Sequence, residues 1–330
     1  MKEIKELNRV YIKSYAAVGS KLESGGEYSK EFDMIIQDPL CMQKTWEKAE
    51  SVFLKTAIDK AIEKSGDNAK NIDLIASGDL INQCTGSTYA VRDSGVSYFG
   101  VYSACSTICL STIAGSLFIE SGLGNSAVTA ASSHFCTAER QYRFPLEYGG
   151  QKTPSAQWTA TASGALYLTS EPTDIKINSV YIGEVVDYDI TDTSNMGAAM
   201  APAAAKTITD YLKKTGRSPK DFDVIFTGDL GSIGSQLLYR LCMLENYDIT
   251  DVHRDCGKML YEGTDIDYHA GASGCGCSAS ILCGYILNRV KNKEVNNILF
   301  CATGALHSPL ISKQGESIPG ICHLLNIKSV

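Results

Sequence analysis

One short pattern occurs twice in this chain, 150 residues apart. The segment DLIASGDL begins at Asp73, and the segment DVIFTGDL begins at Asp223. Each is an apolar run that ends in Gly-Asp-Leu, which is typical of a buried strand that enters a loop. An internal repeat of this kind predicts two related structural halves.

The segments around the two copies also correspond. An amphipathic helix is expected before each copy, over residues 46–65 and residues 202–215. A strand, a turn and a helix are expected after each copy, within YFGVYSACSTICLSTIAGSLFIESG and HAGASGCGCSASILCGYILNRV, followed by the apolar strands SAVTAASSH and NNILFCATGALH. Two such α/β units predict mixed sheets with apolar helices between them. The boundary is expected where Pro172 interrupts the apolar pattern, which gives halves of residues 1–172 and 173–330.

Composition limits the classes of function. The chain has 330 residues, of which 44% are hydrophobic and 20% charged, so a large core is expected and disorder is not. Its formal net charge of −7 argues against a nucleic-acid partner. The charged N-terminal segment does not resemble a signal peptide, and no run reaches the roughly 18 apolar residues that a membrane span requires. Twelve cysteines in such a chain indicate free thiols in a reducing compartment.

Cys105 stands where the extended run VYSA meets the helical run STICLS. The amino terminus of a helix lowers the pKa of a thiol, because unpaired N–H groups and the helix dipole favour the thiolate. Cys105 is therefore a candidate nucleophile, the remnant of one, or a small core residue.

A cysteine that opens the central helix of the first of two duplicated halves resembles the thiolase fold of condensing enzymes. Five motifs extend the resemblance over essentially the whole chain: SSHFCTAERQYRFPLEYGGQKTPSAQWTATASGA, NMGAAMAPAA, TGDLGSIG, AGASGCGCSAS and ATGALHSP. In this order they resemble the stage V sporulation protein AD family, a component of the spore apparatus that moves dipicolinic acid in endospore-forming bacteria. The resemblance implies a duplicated, thiolase-like α/β fold with five layers, α-β-α-β-α.

The same resemblance implies which residues a condensing enzyme would carry at two catalytic positions of the second half, so this chain can be compared with that expectation. Condensing enzymes carry a His after the strand that corresponds to DVIFTGDL, and a His or Asn in the Gly-rich turn. Here these positions hold Asp229 and the sequence AGASGCGCSAS. A carboxylate would repel a developing oxyanion and would not activate a thiol as His does. We therefore expect a non-catalytic protein in which Cys105 marks a vestigial nucleophile. The alternative is an active acyltransferase that uses Cys105, in which His269 or His307 replaces the missing base.

The ligand that the resemblance implies is dipicolinate, a small planar dianion that chelates calcium. Such an anion requires cationic donors, helix amino termini and an aromatic face. The candidate ligand-binding residues are Cys105, His134, Arg140, Arg143, Lys152 and Asp229. The arginines equally suit internal ion pairs, since Glu139 is adjacent to Arg140.

No cofactor or resident metal is expected, apart from calcium that enters as the dipicolinate chelate. A carboxylate such as Asp79 or Glu47 would complete the oxygen shell of that cation. A zinc site at Cys275 and Cys277 is a weaker interpretation than a tightly packed turn, because their spacing lacks a CxxC pair.

Partners and location follow from the resemblance alone. It implies membrane-embedded proteins of the same spore apparatus and a peripheral place at the cytoplasmic side of the forespore or spore inner membrane. It also implies a homodimer through the segment GVSYFGVYSA. A scaffold-only subunit of a membrane transport complex, with no ligand of its own, is the remaining alternative.

Overall fold

The computed structural model describes residues 4–143, 150–265 and 267–330, so residues 144–149 of the long first-half motif lie outside it. The strands are β1 Lys5–Glu6, β2 Tyr11–Ser20, β3 Met34–Ile36, β4 Leu74–Gly78, β5 Tyr98–Gly100, β6 Ser126–Ser133, β7 Trp158–Thr159, β8 Ala162–Thr169, β9 Ile175–Tyr181, β10 Val224–Thr227, β11 His253–Asp255, β12 Ala272–Ser273, β13 Asn297–Ala305 and β14 Gly320–Ser329. The helices are α1 Trp46–Ser65, α2 Thr85–Val91, α3 Thr107–Glu120, α4 Phe135–Tyr142, α5 Met196–Thr215, α6 Gly231–Leu244, α7 Cys256–Met259, α8 Cys275–Ile281, α9 Leu287–Lys291 and α10 Pro309–Ser312. A π-helical turn, Leu282–Ile286, joins α8 to α9.

Two half-sheets with the same strand order confirm the duplication. The first runs β2-β8-β6-β4-β5 and the second runs β9-β14-β13-β10-β11. In each, the strand formed by the repeated pattern, β4 or β10, lies parallel to both of its neighbours. The half-sheets meet where Tyr11 of β2 pairs with Lys176 of β9, so the hydrogen-bonded path is continuous.

Helices cover both faces of the first half-sheet because successive strand residues point to opposite faces. Val128 and Ala130 of β6 join one core cluster with Phe53 of α1, whereas Ala127 joins another with Ile113 of α3. On its other side α3 packs against β13 and β14 of the second half, while α5 packs on the same two strands and on α6. The layers are therefore those of the expected thiolase-like fold.

The two predicted helices differ in how well their starts were placed. The first is confirmed, since α1 spans Trp46–Ser65 and the Thr45 hydroxyl accepts from the backbone N–H of Lys48 at 3.3 Å. The second begins earlier than predicted, at Met196, and contains Pro202 inside it. A proline removes one N–H donor but does not by itself mark a helix start.

The second half packs into the first through α8, which lies directly against the backbone of β8. A Cβ atom on Gly164 would lie 2.3 Å from the carbonyl oxygen of Ala279, and one on Gly276 would lie 2.2 Å from that of Ala162. No side chain fits at either position. The change between half-sheets falls between β8 and β9, and the division into domains 1–172 and 173–330 stays a prediction.

The cysteines are free thiols, as the composition predicts. Cys275 donates to the carbonyl oxygen of Ser132 at 2.8 Å. Across the described ranges, no group of three or more His, Cys, Asp or Glu side chains is placed to hold a metal ion. In the same ranges, no helix is both long enough and apolar enough to cross a membrane.

Candidate ligand-binding cleft

Cys105 lies between β5 and α3, in a sharp turn of the backbone. Ala104, the residue before it, has a left-handed φ of 47°. The helix α3 begins at Thr107, so Cys105 precedes the helix by two residues. Its side chain is buried, and its Sγ lies 3.9 Å from the hydroxyl oxygen of Ser273 in the second half. Residues from both halves therefore meet at this thiol.

Asp229 follows β10 and is completely buried beside Cys105. Its carboxylate accepts hydrogen bonds from the Ser273 hydroxyl at 3.0 Å, the Gly274 N–H at 2.8 Å and the Thr303 hydroxyl at 2.9 Å. Burial raises the pKa of Asp229 to about 6, although the hydrogen bonds from Gly274 and Thr303 oppose the rise. The position where a condensing enzyme is expected to carry a His thus holds a buried carboxyl group.

The pKa of Cys105 is raised well above its ordinary value. Burial is the largest cause, and Asp229 adds to it by its charge and by accepting a hydrogen bond from the thiol. These effects outweigh the helix dipole, so the thiol is protonated at neutral pH. The helix start alone would favour a thiolate, but the surroundings of Cys105 favour the protonated thiol.

Replacing Asp229 with Asn should make Cys105 more reactive toward iodoacetamide, because an amide places no negative charge beside the developing thiolate. We expect the thiolate fraction at pH 8 to rise about tenfold for each unit by which the pKa of Cys105 falls, and the rate of alkylation to rise with it, though less steeply. Peptide-resolved mass spectrometry of the folded protein measures this rate, with Cys41 as the internal control. An unchanged ratio of Cys105 to Cys41 labelling would contradict the assignment.

A cleft of about 660 Å³ opens above Cys105. A volume of this size suits a small ligand. The polar and aromatic residues that line it include Tyr142, Arg143, Gln157, Ser273, His307 and Lys313. Both halves of the fold contribute to it, so the cleft exists only when they are packed together.

His307 presents unused polar atoms at the cleft wall. Neither ring nitrogen has a hydrogen-bond partner within the described ranges, and both are buried. The ring packs against Tyr142 with 5.5 Å between ring centroids, and the Tyr142 hydroxyl lies 3.0 Å from that of Tyr102. Burial lowers the pKa of His307. His307 makes no hydrogen bond to Cys105.

The other candidate for a displaced base also lies elsewhere. The Nδ1 atom of His269 is 3.0 Å from Oδ1 of Asp267, and His269 does not line the cleft. Neither histidine therefore forms a Cys–His pair with Cys105 here.

Arg143 and Lys152 converge on one carboxylate, that of Glu139. The Arg143 Nη1 atom donates to Glu139 Oε2 at 3.2 Å, and the Lys152 Nζ atom donates to Oε1 at 2.8 Å. Burial lowers the pKa of Lys152, and Glu139 partly offsets this. Arg143 and Glu139 line the cleft, whereas Lys152 does not, which corrects its expected placement. Lys152 donates instead to Glu139 and to the carbonyl oxygen of Gln157, at 2.9 Å.

His134 and Arg140 do not line the cleft, which corrects their expected placement. His134 caps α4, with Nδ1 accepting from the Cys136 N–H at 3.2 Å and Nε2 lying 2.9 Å from the carbonyl oxygen of Pro39. Arg140 forms an ion pair with Glu47 at the start of α1. These contacts give both residues a structural role. Glu47 is thereby engaged away from the cleft.

Asp79 is likewise not part of the cleft lining. Its buried carboxylate accepts from the backbone N–H groups of Ile81 at 3.0 Å and Ser87 at 2.7 Å. It therefore holds the loop between β4 and α2, and a role as a calcium ligand in the cleft has no support from its position.

Sequence reasoning did not identify Tyr142, Ser273 or Lys313 as ligand-binding candidates. Ser273 belongs to the Gly-rich turn, where the expected residue types were His and Asn. Tyr142 is adjacent to the predicted Arg143, and an aromatic residue next to a candidate cation could have indicated a ligand-binding role. Lys313 follows the short helix α10, and no motif marks it. His307 was considered only as a displaced base.

Solved structures of condensing enzymes share this fold. The 3-oxoacyl-[acyl-carrier-protein] synthase III from Aquifex aeolicus VF5 is similar with a TM-score of 0.56, over 96% of this chain and 99% of that one, at 12% identity. An OleA variant from Xanthomonas campestris is similar with a TM-score of 0.62, over 98% of this chain and 100% of that one, at 14% identity. Identities this low establish the fold and leave the activity open.

Sequence comparisons identify the family. The model of the family described as stage V sporulation protein AD (SpoVAD) matches residues 2–328. The stage V sporulation protein AD of Bacillus subtilis (strain 168) is 38% identical over 314 residues, which cover 95% of this chain and 93% of that protein. Both matches extend over nearly the whole length, as the five motifs do. This chain, with its condensing-enzyme fold and altered cysteine site, therefore belongs to the stage V sporulation protein AD family.

Proposed function

We propose that this protein binds dipicolinic acid, or its calcium chelate, in the cleft above Cys105 for uptake into the developing spore. The observation that carries the proposal is the lining of that cleft, which combines Arg143 and Lys313 with the aromatic ring of Tyr142 and the unpartnered nitrogens of His307. Cations and an aromatic face complement a planar dicarboxylate. Membership in a sporulation family supports the biological setting.

We also propose that the protein is not a condensing enzyme. Condensation requires a thiolate and donors that stabilise the thioester oxygen as it becomes negative. Burial and Asp229 keep the Cys105 thiol protonated, and the Asp229 carboxyl group replaces a donor with an acceptor. Incubation with acyl-CoA thioesters followed by mass spectrometry should show no adduct on Cys105. An adduct that forms and turns over would establish the acyltransferase alternative.

Calorimetric titration with dipicolinate tests the binding proposal directly. We expect saturable 1:1 binding of dipicolinate, and titration with and without calcium distinguishes the free dianion from its chelate, in which calcium engages the carboxylates. A Cys105→Leu variant should bind more weakly, since the larger side chain fills the floor of the cleft. The control Cys41→Leu, which alters a cysteine outside the cleft lining, should bind normally. Absence of binding to the folded protein in both conditions would favour the scaffold-only alternative.

Family membership also supports proposals about partners. Membrane-embedded proteins of the same spore apparatus would hold the chain at the cytoplasmic side of the forespore inner membrane, and fractionation of sporulating cells that lack them tests this. A homodimer is supported by β5, which ends the strand path and leaves Phe99 49% exposed. Sedimentation of a Phe99→Asp variant, compared with the unmodified protein, tests the dimer.

A further inference from the structure

His307 stands between two hollows of the surface. It follows β13, precedes α10 and lines the cleft of about 660 Å³ above Cys105. It also lines a neighbouring hollow of about 570 Å³, whose other side is formed by Tyr102 and Gln141. The side chain is only 8% exposed, and both ring nitrogens lack a hydrogen-bond partner within the described ranges. A buried polar group without a partner costs free energy, so its retention at a cleft wall points to a ligand.

Among the residues that the structure describes, the groups that line the two hollows with His307 include no unpaired carboxylate to balance a positive imidazolium. Within the described ranges, the titratable and charged groups that share its two hollows are Glu139 and Tyr142 of α4, Arg143 just after α4, Tyr102 and Cys105 from the segment between β5 and α3, and Lys313 after α10. Glu139 is occupied by Arg143 and Lys152. Burial lowers the pKa of His307 below the ordinary value of 6.5. The ring is therefore neutral in the ligand-free cleft at neutral pH.

We propose that His307 takes up a proton from solvent when a dicarboxylate enters the cleft, so that ligand binding is coupled to protonation of the protein. This inference rests on the proposed ligand. A neutral imidazole has a single N–H donor, whereas the imidazolium has two N–H donors and a positive charge. A dicarboxylate beside the ring favours the charged form. The proton is added to the free lone pair of the ring, and no bond of the ligand breaks.

The sign of the pH dependence follows from this coupling. The ligand raises the pKa of His307 above its value in the empty cleft, so the complex holds more protons than the free protein between these two values. Affinity is then highest below the pKa of the empty protein. It falls by up to about tenfold per pH unit as the pH rises toward the pKa of the complex.

Calorimetry in buffers with different ionisation enthalpies measures the proton count. Titration of the full chain with dipicolinate at pH 7.5 in phosphate, HEPES and Tris should give enthalpies whose slope corresponds to uptake of up to roughly one proton per ligand. His307→Gln keeps polar atoms in place but cannot be protonated, so it should bind more weakly and show no uptake. The control His269→Gln, outside the cleft, should retain both affinity and uptake.

A spectroscopic measurement covers the case in which His307→Gln does not bind. The chain has five histidines, and ¹⁵N spectra of histidine-labelled protein assign His307 as the signal that the variant lacks. Dipicolinate should move that signal from the neutral to the imidazolium position. Binding without buffer dependence between pH 6.5 and 8.5, or uptake that persists in His307→Gln, would overturn the coupling while the proposed function stands. A complete absence of dipicolinate binding would overturn both.

Discussion

Replacing Gly164 with alanine should strongly destabilise the protein. The added Cβ atom would lie 2.3 Å from the carbonyl oxygen of Ala279, which belongs to the backbone of α8 and cannot rotate away. The helix would have to move off β8, and its contacts with the first half-sheet would loosen. Overpacking of this kind costs on the order of 3 kcal/mol in the free energy of unfolding. Urea denaturation followed by circular dichroism should show the lower midpoint.

A glycine in a less crowded place is the matched control for Gly164→Ala. The Cβ atom on Gly25 would meet only the side-chain methyl of Thr264, at 3.3 Å. That methyl has room to adjust, so Gly25→Ala should change the midpoint little. Equal midpoints for the two variants would show that α8 and β8 are not held at the distance described here.

Replacing Arg143 with methionine should weaken dipicolinate binding by roughly ten- to a hundredfold. Arg143 lines the cleft, and a hydrogen bond to a charged group contributes about 1.5–3 kcal/mol. Methionine preserves much of the side-chain length without the charge. The fold should survive, because Glu139 keeps its ion pair with Lys152 at 2.8 Å. Calorimetric titration of each variant measures the affinity.

The control for this experiment is a second arginine near the end of α4. Arg140 is three residues from Arg143 in the sequence but forms its ion pair with Glu47, outside the cleft. Arg140→Met should therefore bind dipicolinate as the unmodified protein does. Equal losses of affinity in both variants would indicate a general electrostatic effect of the basic residues, and would contradict the assignment of Arg143 to the ligand site.

Much of the fold could be predicted because it depends on local patterns. Apolar periodicity placed α1 correctly, and the two Gly-Asp-Leu runs marked the equivalent strands β4 and β10. The start of α5 was missed because the helix was expected to begin at Pro202. Asn195, whose side chain accepts from the N–H of Ala198 at 3.2 Å, caps the helix seven residues earlier. The direct joining of β2 to β9 has no local signal, since it depends on how the halves pack.

The candidate site was harder to predict because its residues come from distant segments. Arg140 and Arg143 look alike in the sequence, yet one pairs with α1 and the other faces the cleft. Their difference arises from the packing of α4 against its neighbours. His134 resembled a ligand-binding residue because of its motif, but in the fold it caps α4.

The sequence by itself determined the duplication, the family and the residue types at the condensing-enzyme positions, because these depend on residue identity and order. It placed Asp229 where a His was expected. Only the tertiary structure decided what that replacement does to Cys105. Asp229 and the thiol are neighbours because the second half packs against the first. Burial then raises the pKa of Cys105, and this effect exceeds the lowering expected from the helix start. Burial and charge at a site depend on every segment that surrounds it, and no local pattern contains that information.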